Sequence, residues 1–139
     1  MNAVSWDVKD MLEAWDGTAS SEADLELVYG TNLFTGLQPA NPYNVVTILD
    51  IPGGMPWLGL TDKGYEYPSI QILVRNKDYN EGMNLCERIK DALHGRAQET
   101  WNDTLYTLVR CSTPPALLEW DDNGCANLFM NFNLQRRVA

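Results

Sequence analysis

The sequence predicts an α+β fold: a mainly antiparallel mixed β-sheet with two packed α-helices, in one domain with long loops and a C-terminal β-hairpin. Three observations carry this. Two segments repeat apolar residues at helical spacing, one near the N-terminus and one after Asp78. Several short β-branched or alternating runs lie between and after them. Near the C-terminus, Asn123-Gly124 separates two such runs, the favoured pair for a tight hairpin turn. A length of 139 residues suits one domain, 1–139, with a sizeable core.

Each element follows from its residues. Ser5 is placed to cap a first helix over 6–16, whose apolar face is Val8, Met11, Leu12 and Trp15. Asp7, Asp10, Glu13 and Asp16 fall on its other faces, and Gly17 ends it. The run 25–30 alternates Leu25, Leu27 and Tyr29 with Glu26 and Val28, the pattern of a half-buried strand. Residues 31–44 contain Pro39 and Pro42 and read as loop. The nearly continuous apolar run 45–51 reads as a central strand covered on both faces. Residues 52–68 form a long loop with three prolines, four glycines and three large aromatics.

A strand over 69–75 then leads into the second helix. Asp78 and Glu81 read as its capping box. Met83, Cys86, Ile89, Ala92 and Leu93 form its buried stripe, and Gly95 suits a left-handed stop. The run 104–111 is a strand that Thr113-Pro114-Pro115 should break. In the last arm Ala126, Leu128, Met130, Phe132 and Leu134 face the core. Asn127, Phe129, Asn131 and Asn133 face the other way.

Composition narrows the function. A net charge of −9 and a pI near 4.4 argue against nucleic acid as a partner, since phosphate backbones demand a basic face. The charge is uneven: residues 1–69 hold ten acids and two bases, residues 70–139 nine acids and eight bases. No apolar run has the length of a membrane span, and the first residues do not read as a secretory signal. Cys86, Cys111 and Cys125 are odd in number and lack a C-x-x-C spacing, so neither a disulfide framework nor a zinc site is expected.

Reactive constellations are equally sparse. His94 is the only histidine and lies at a helix end. Asp121 and Asp122 are adjacent carboxylates that a turn explains. The Gly53-Gly54 stretch has no lysine in phosphate-loop spacing. The expectation is a protein without enzymatic activity, metal or cofactor.

One ordered set of features spans most of the chain. It comprises Pro39 and Pro42 before the strand Val45 to Leu49, Gly53 and Gly54, then Tyr67-Pro68 before the next strand. Arg75, Asp78 and Tyr79 follow, then a helix closed by Leu93 and Gly95. This order resembles the tail terminator and minor capsid (head-tail joining) proteins of tailed bacteriophages. One departure is Gly82, where a better helix former is usual. The resemblance implies a structural virion protein of the tail or neck, assembled in the host bacterial cytoplasm. It implies a homo-oligomeric ring, typically a hexamer, capping the tail tube. Its partners would be the major tail tube protein and a head-completion or stopper protein of the neck. The alternatives are another neck component, such as a stopper or adaptor, and a small regulatory module binding a ligand or peptide.

Three groups are candidate contact surfaces. Met55, Trp57, Leu58 and Leu60 make an apolar loop tip between glycines. Asn127, Asn131 and Asn133, with Phe129 as apolar anchor, make an uncharged polar face. Arg136 and Arg137 could meet the acidic N-terminal segment of a neighbour. The plainer alternatives are Trp57 folded onto its own core and a solvated asparagine face.

Overall fold

The computed structural model describes residues 1–15, 25–56 and 64–137. Its elements are α1 (Val4–Ala14), β1 (Leu33–Thr35), β2 (Val45–Ile51), β3 (Tyr65–Glu66), β4 (Ser69–Asn76), α2 (Tyr79–Leu93), β5 (Glu99–Trp101), β6 (Thr104–Trp120) and β7 (Ala126–Arg137). The sheet order is β1-β2-β4-β7-β6-β5, and β3 pairs with β7 beyond the end of β4. The β1–β2 pair is parallel, and the other described pairs are antiparallel. This is the α+β class that the sequence predicts.

Both helices lie on one face of the sheet. Ile48, Ile70, Ile72, Val74, Leu128, Met130 and Phe132 meet Val8, Met11 and Leu12 of α1 and Cys86, Ile89 and Leu93 of α2 in one core. The expected alternation of β7 is observed, with Ala126, Leu128, Met130, Phe132 and Leu134 buried and the intervening residues half-buried. Each such apolar side chain removed from water contributes about 1.5–3 kcal/mol. The core is the main reason the sheet holds its register.

Several local expectations are corrected. Helix α1 starts at Val4, two residues early, and ends at Ala14. Ser5 does not cap it but sits buried within the first turn. Asp50 of β2 serves instead: its Oδ1 accepts the Ser5 N–H at 3.0 Å and its Oδ2 the Ser5 hydroxyl at 2.6 Å. A strand thus supplies the anion that the helix N-terminus favours. The expected strand over 25–30 does not form, although Leu25 and Leu27 are buried. Glu26 takes φ +52°, incompatible with a strand, and only an isolated bridge joins Tyr29 to Leu33. The strand β1 lies instead in the segment read as loop. Another two-residue strand, β3, falls inside the 52–68 loop.

The prolines do not end β6. The strand runs from Thr104 to Trp120, with ladder irregularities between Cys111 and Thr113 and between Thr113 and Ala116. Pro114 and Pro115 are tolerated because the strand is a sheet edge there and irregular in register. The hairpin turn is not type I′. Trp120 pairs with Ala126, Gly124 N–H donates to Asp121 O at 3.1 Å, and Gly124 alone in the turn has positive φ, +76°. That is a type I turn closed by a left-handed glycine. The capping box is half present. Asp78 Oδ1 accepts from Asn80 and Glu81 N–H, but Asp78 N–H donates to Asn76 Oδ1 at 2.8 Å rather than to Glu81.

The structure also accounts for Gly82. A Cβ there would lie 2.8 Å from Leu128 Cδ1 and 3.2 Å from Asn76 Cβ. Glycine lets the first turn of α2 approach β7 closely, at a propensity cost of about 1 kcal/mol.

Candidate assembly surface

The helices cover one face of the sheet, and among the described residues none lies on the other. On that face, cross-strand partners form rows. Thr47, Leu73, Phe129 and Ala116 make one; Leu49, Gln71, Asn131 and Thr113 the next; Ile51, Ser69, Asn133 and Arg110 a third. The pattern arises because β2, β4 and β7 alternate, with mainly apolar residues on the core side and mixed polar and apolar residues on this one.

Arg75 closes one end of the face. It is buried, and it donates from Nη2 to Pro39 O (2.7 Å), Ala40 O (3.3 Å) and Pro42 O (2.7 Å), and from Nε to Tyr43 O (2.9 Å). One guanidinium therefore organises the loop 39–43 against β4. Asn44 Oδ1 accepts the Lys77 N–H at 3.0 Å and ties down the next residue. At the other end, the two glycines meet the Tyr67-Pro68 pair. Gly54 N–H donates to Tyr67 O at 2.8 Å. A Cβ on Gly53 would lie 2.2 Å from that same oxygen, so only glycine fits. Pro68 breaks the strand between β3 and β4, while its carbonyl accepts from Leu134 N–H at 2.9 Å and keeps the ladder to β7. Gly54, Tyr67, Ser69, Leu108, Arg110 and Asn133 line a shallow groove of about 340 Å³ here.

The candidate residues fall as follows. Asn127, Phe129, Asn131 and Asn133 share the helix-free face, each half-buried. Asn133 Oδ1 accepts the Ser69 hydroxyl at 2.6 Å, and Asn127 Nδ2 donates to Asp121 Oδ2 at 3.3 Å. Asn131 Nδ2 donates to Thr113 Oγ1 at 3.3 Å, but no donor among the described residues reaches its buried Oδ1. Met55 is 87% exposed. Trp57, Leu58 and Leu60 lie outside the described residues. Arg136 is paired within the chain, to Glu66 at 2.8 Å and to Asn2 O at 2.9 Å, whereas Arg137 is exposed.

The acidic helix face differs from expectation. Asp7 is buried, not solvated: it accepts from the Tyr106 hydroxyl and from Asn102 Nδ2 at 2.7 Å. Burial and that carboxylate push the Tyr106 phenol above its ordinary range. Burial raises the Asp10 carboxyl, but Asn102 and Lys9 outweigh it and hold the group low. Lys9 is buried over the Trp6 ring, 3.6 Å from its centroid, and pairs with Asp10 at 2.8 Å. Asp7 and Asp10, through Asn102 and Tyr106, tie α1 to β6 and to the turn before it.

The groups that invited a chemical reading make local hydrogen bonds. His94 Nδ1 accepts the Cys111 N–H at 2.9 Å. Asp121 Oδ1 accepts from Asn123 and Cys125 N–H, and the Cys125 bond above all holds its carboxyl low. No cluster of potential metal ligands occurs among the described residues.

Sequence reasoning missed one feature. Tyr79 stacks on Trp120, ring centroids 6.3 Å apart and 28° from parallel. Beside them Leu117 and Leu118 are exposed. The available signal was Leu117-Leu118 itself, since two adjacent apolar residues in a strand cannot both face the core.

Comparisons with known proteins agree with this architecture. The family described as "Bacteriophage tail terminator protein" matches residues 22–137. A chain of the "Virion of native gene transfer agent (GTA) particle" superposes with a TM-score of 0.66 at 15% identity, covering 98% of this chain and 96% of that one. At that identity the likeness concerns the fold. A search among curated proteins gives no match. The α+β sheet with helices on one face, together with the family match, defines a structural protein of phage tails. The chain belongs to the bacteriophage tail terminator family.

Proposed function

We propose that the chain, as a single domain over 1–139, forms a cyclic ring, a hexamer by family resemblance. The ring caps the finished tail tube, stops its growth and offers a surface to the head-completion or stopper protein of the neck. The role is structural rather than catalytic, and assembly takes place in the host cytoplasm before the ring joins the virion. The observation that carries this reading is the family match over 22–137. The helix-free face supports it: Asn127, Phe129, Asn131 and Asn133 present uncharged polar groups around an aromatic. Such a face meets a like or tubular surface without charge repulsion. In this reading Met55, Trp57, Leu58, Leu60, Arg136 and Arg137 contribute at the ring's other contacts.

Light scattering after size exclusion, alone and with purified tail tube protein, tests the proposal. A ring-sized species that binds tube ends is expected. A monomer or dimer indifferent to tubes would point to a regulatory binding module instead.

A further inference from the structure

We infer that neighbouring subunits join through the edges of their sheets: the outer side of β6 over Ala116–Trp120 pairs with β1 of the next copy. This rests on the ring reading above and specifies how the ring closes.

The first half of β6 has its outer side covered. β5 pairs with Thr104–Tyr106, Gly95 N–H donates to Val109 O at 2.8 Å, Val109 N–H to Arg96 O at 2.9 Å, and Cys111 N–H to His94 Nδ1. Beyond the prolines the outer backbone groups of residues 116–120 have no partner among the described residues. The same stretch exposes Leu118 (56%) and Trp120 (54%), with Leu117 beside them. An open strand edge bearing large apolar side chains templates pairing with another chain. Natural edges are protected by prolines, charges or a cover; here Pro114, Pro115 and Glu119 limit pairing to one short stretch.

The occupant follows from topology and charge. β1 is the opposite edge of the sheet; among the described residues its outer side meets only the Tyr29–Gly30 segment, through the Tyr29–Leu33 bridge and the Gly30 N–H to Leu33 O bond at 3.0 Å, and Leu37 is exposed. The ladder of parallel and antiparallel pairs makes β1 run opposite to β6. With strands along the ring axis, rotation about that axis preserves their sense. β6 then meets β1 of the next copy antiparallel, the more stable arrangement. Two different edges meeting head to tail is the interface type that closes into rings. Charge favours it too: residues 116–122 carry Glu119, Asp121 and Asp122 and no base, whereas residues 27–49 carry no charged side chain, so pairing β6 with β6 would oppose acids and pairing it with β1 does not.

The test uses full-length chain carrying Cys111→Ser, with Thr35→Cys and Leu118→Cys added together or singly. Mild oxidation of the assembled double variant should give a ladder of covalent oligomers, and each single variant only monomer. In parallel, amides of 116–120 should exchange at least about tenfold more slowly in the assembly than in the monomer. If a ring forms by light scattering but neither ladder nor protection appears, the edge inference fails and the ring reading stands. If Leu118→Cys alone yields covalent dimers, like edges meet and the inference is wrong. If no oligomer forms, alone or on tubes, both fall.

Discussion

Arg75 shows how much of a surface one buried cation can organise. Its fork reaches four carbonyl groups of the loop 39–43, and no anion neutralises it in those bonds. A lysine has neither the planar fork nor the reach to several acceptors at once. Arg75→Lys is therefore expected to cost on the order of 2–3 kcal/mol, read as a lower urea midpoint. Unchanged stability would mean that the loop holds without it. Cys86 gives a second prediction. Burial pushes its thiol from 9.0 to about 12. The folded state then favours the protonated thiol. Its contribution is complete below pH 9 and is lost as pH rises toward about 12. Tyr106, raised by burial and Asp7, acts in the same direction at the alkaline end. Thermal stability should fall through that window, and Cys86→Ala should flatten the fall; an unaltered slope in the variant would contradict the assignment.

At the scale of elements, α1 depends on β2 for its N-terminus. Asp50→Ala removes the acceptor of both the Ser5 N–H and hydroxyl, and should cost about 1 kcal/mol, close to the loss of an ordinary cap. Amide exchange in the first turn of α1 should speed up while α2, capped by its own Asp78, does not respond. Equal effects on both helices would indicate global destabilisation. The same contrast explains what the sequence made legible. Asp78, the α2 stripe and the β7 alternation are set by residues within a few positions of one another, and they read correctly. Ser5 was misread because its partner lies in another element. The 25–30 strand failed because alternating burial of Leu25 and Leu27 arises here from an irregular segment with Glu26 at positive φ. The break expected at Pro114-Pro115 failed because an edge strand tolerates missing N–H groups that a central one does not. Of the candidate surface, the asparagine face was legible from period-two spacing. The apolar β6 edge was not, since whether a strand has a second neighbour is a property of the whole sheet.

At the scale of the molecule, the ordered residues that carry the resemblance are joints between elements. Gly53 and Gly54 meet Tyr67-Pro68, Arg75 holds the loop 39–43, and Tyr79 stacks on Trp120. They build a sheet with one face buried under helices and the other half-buried, without a helix among the described residues. In the role proposed here, the face opposite the helices lets a ring of these chains end tail growth. The most direct measurement is the tail-length distribution by electron microscopy, in particles made without the chain and then supplied with wild type or with Asn131→Lys combined with Asn133→Lys. The account predicts overlong tubes without the chain, uniform tails restored by wild type, and failure to restore them by a double variant that still folds. Tails of normal uniform length without the chain, or full restoration by the double variant, would contradict it.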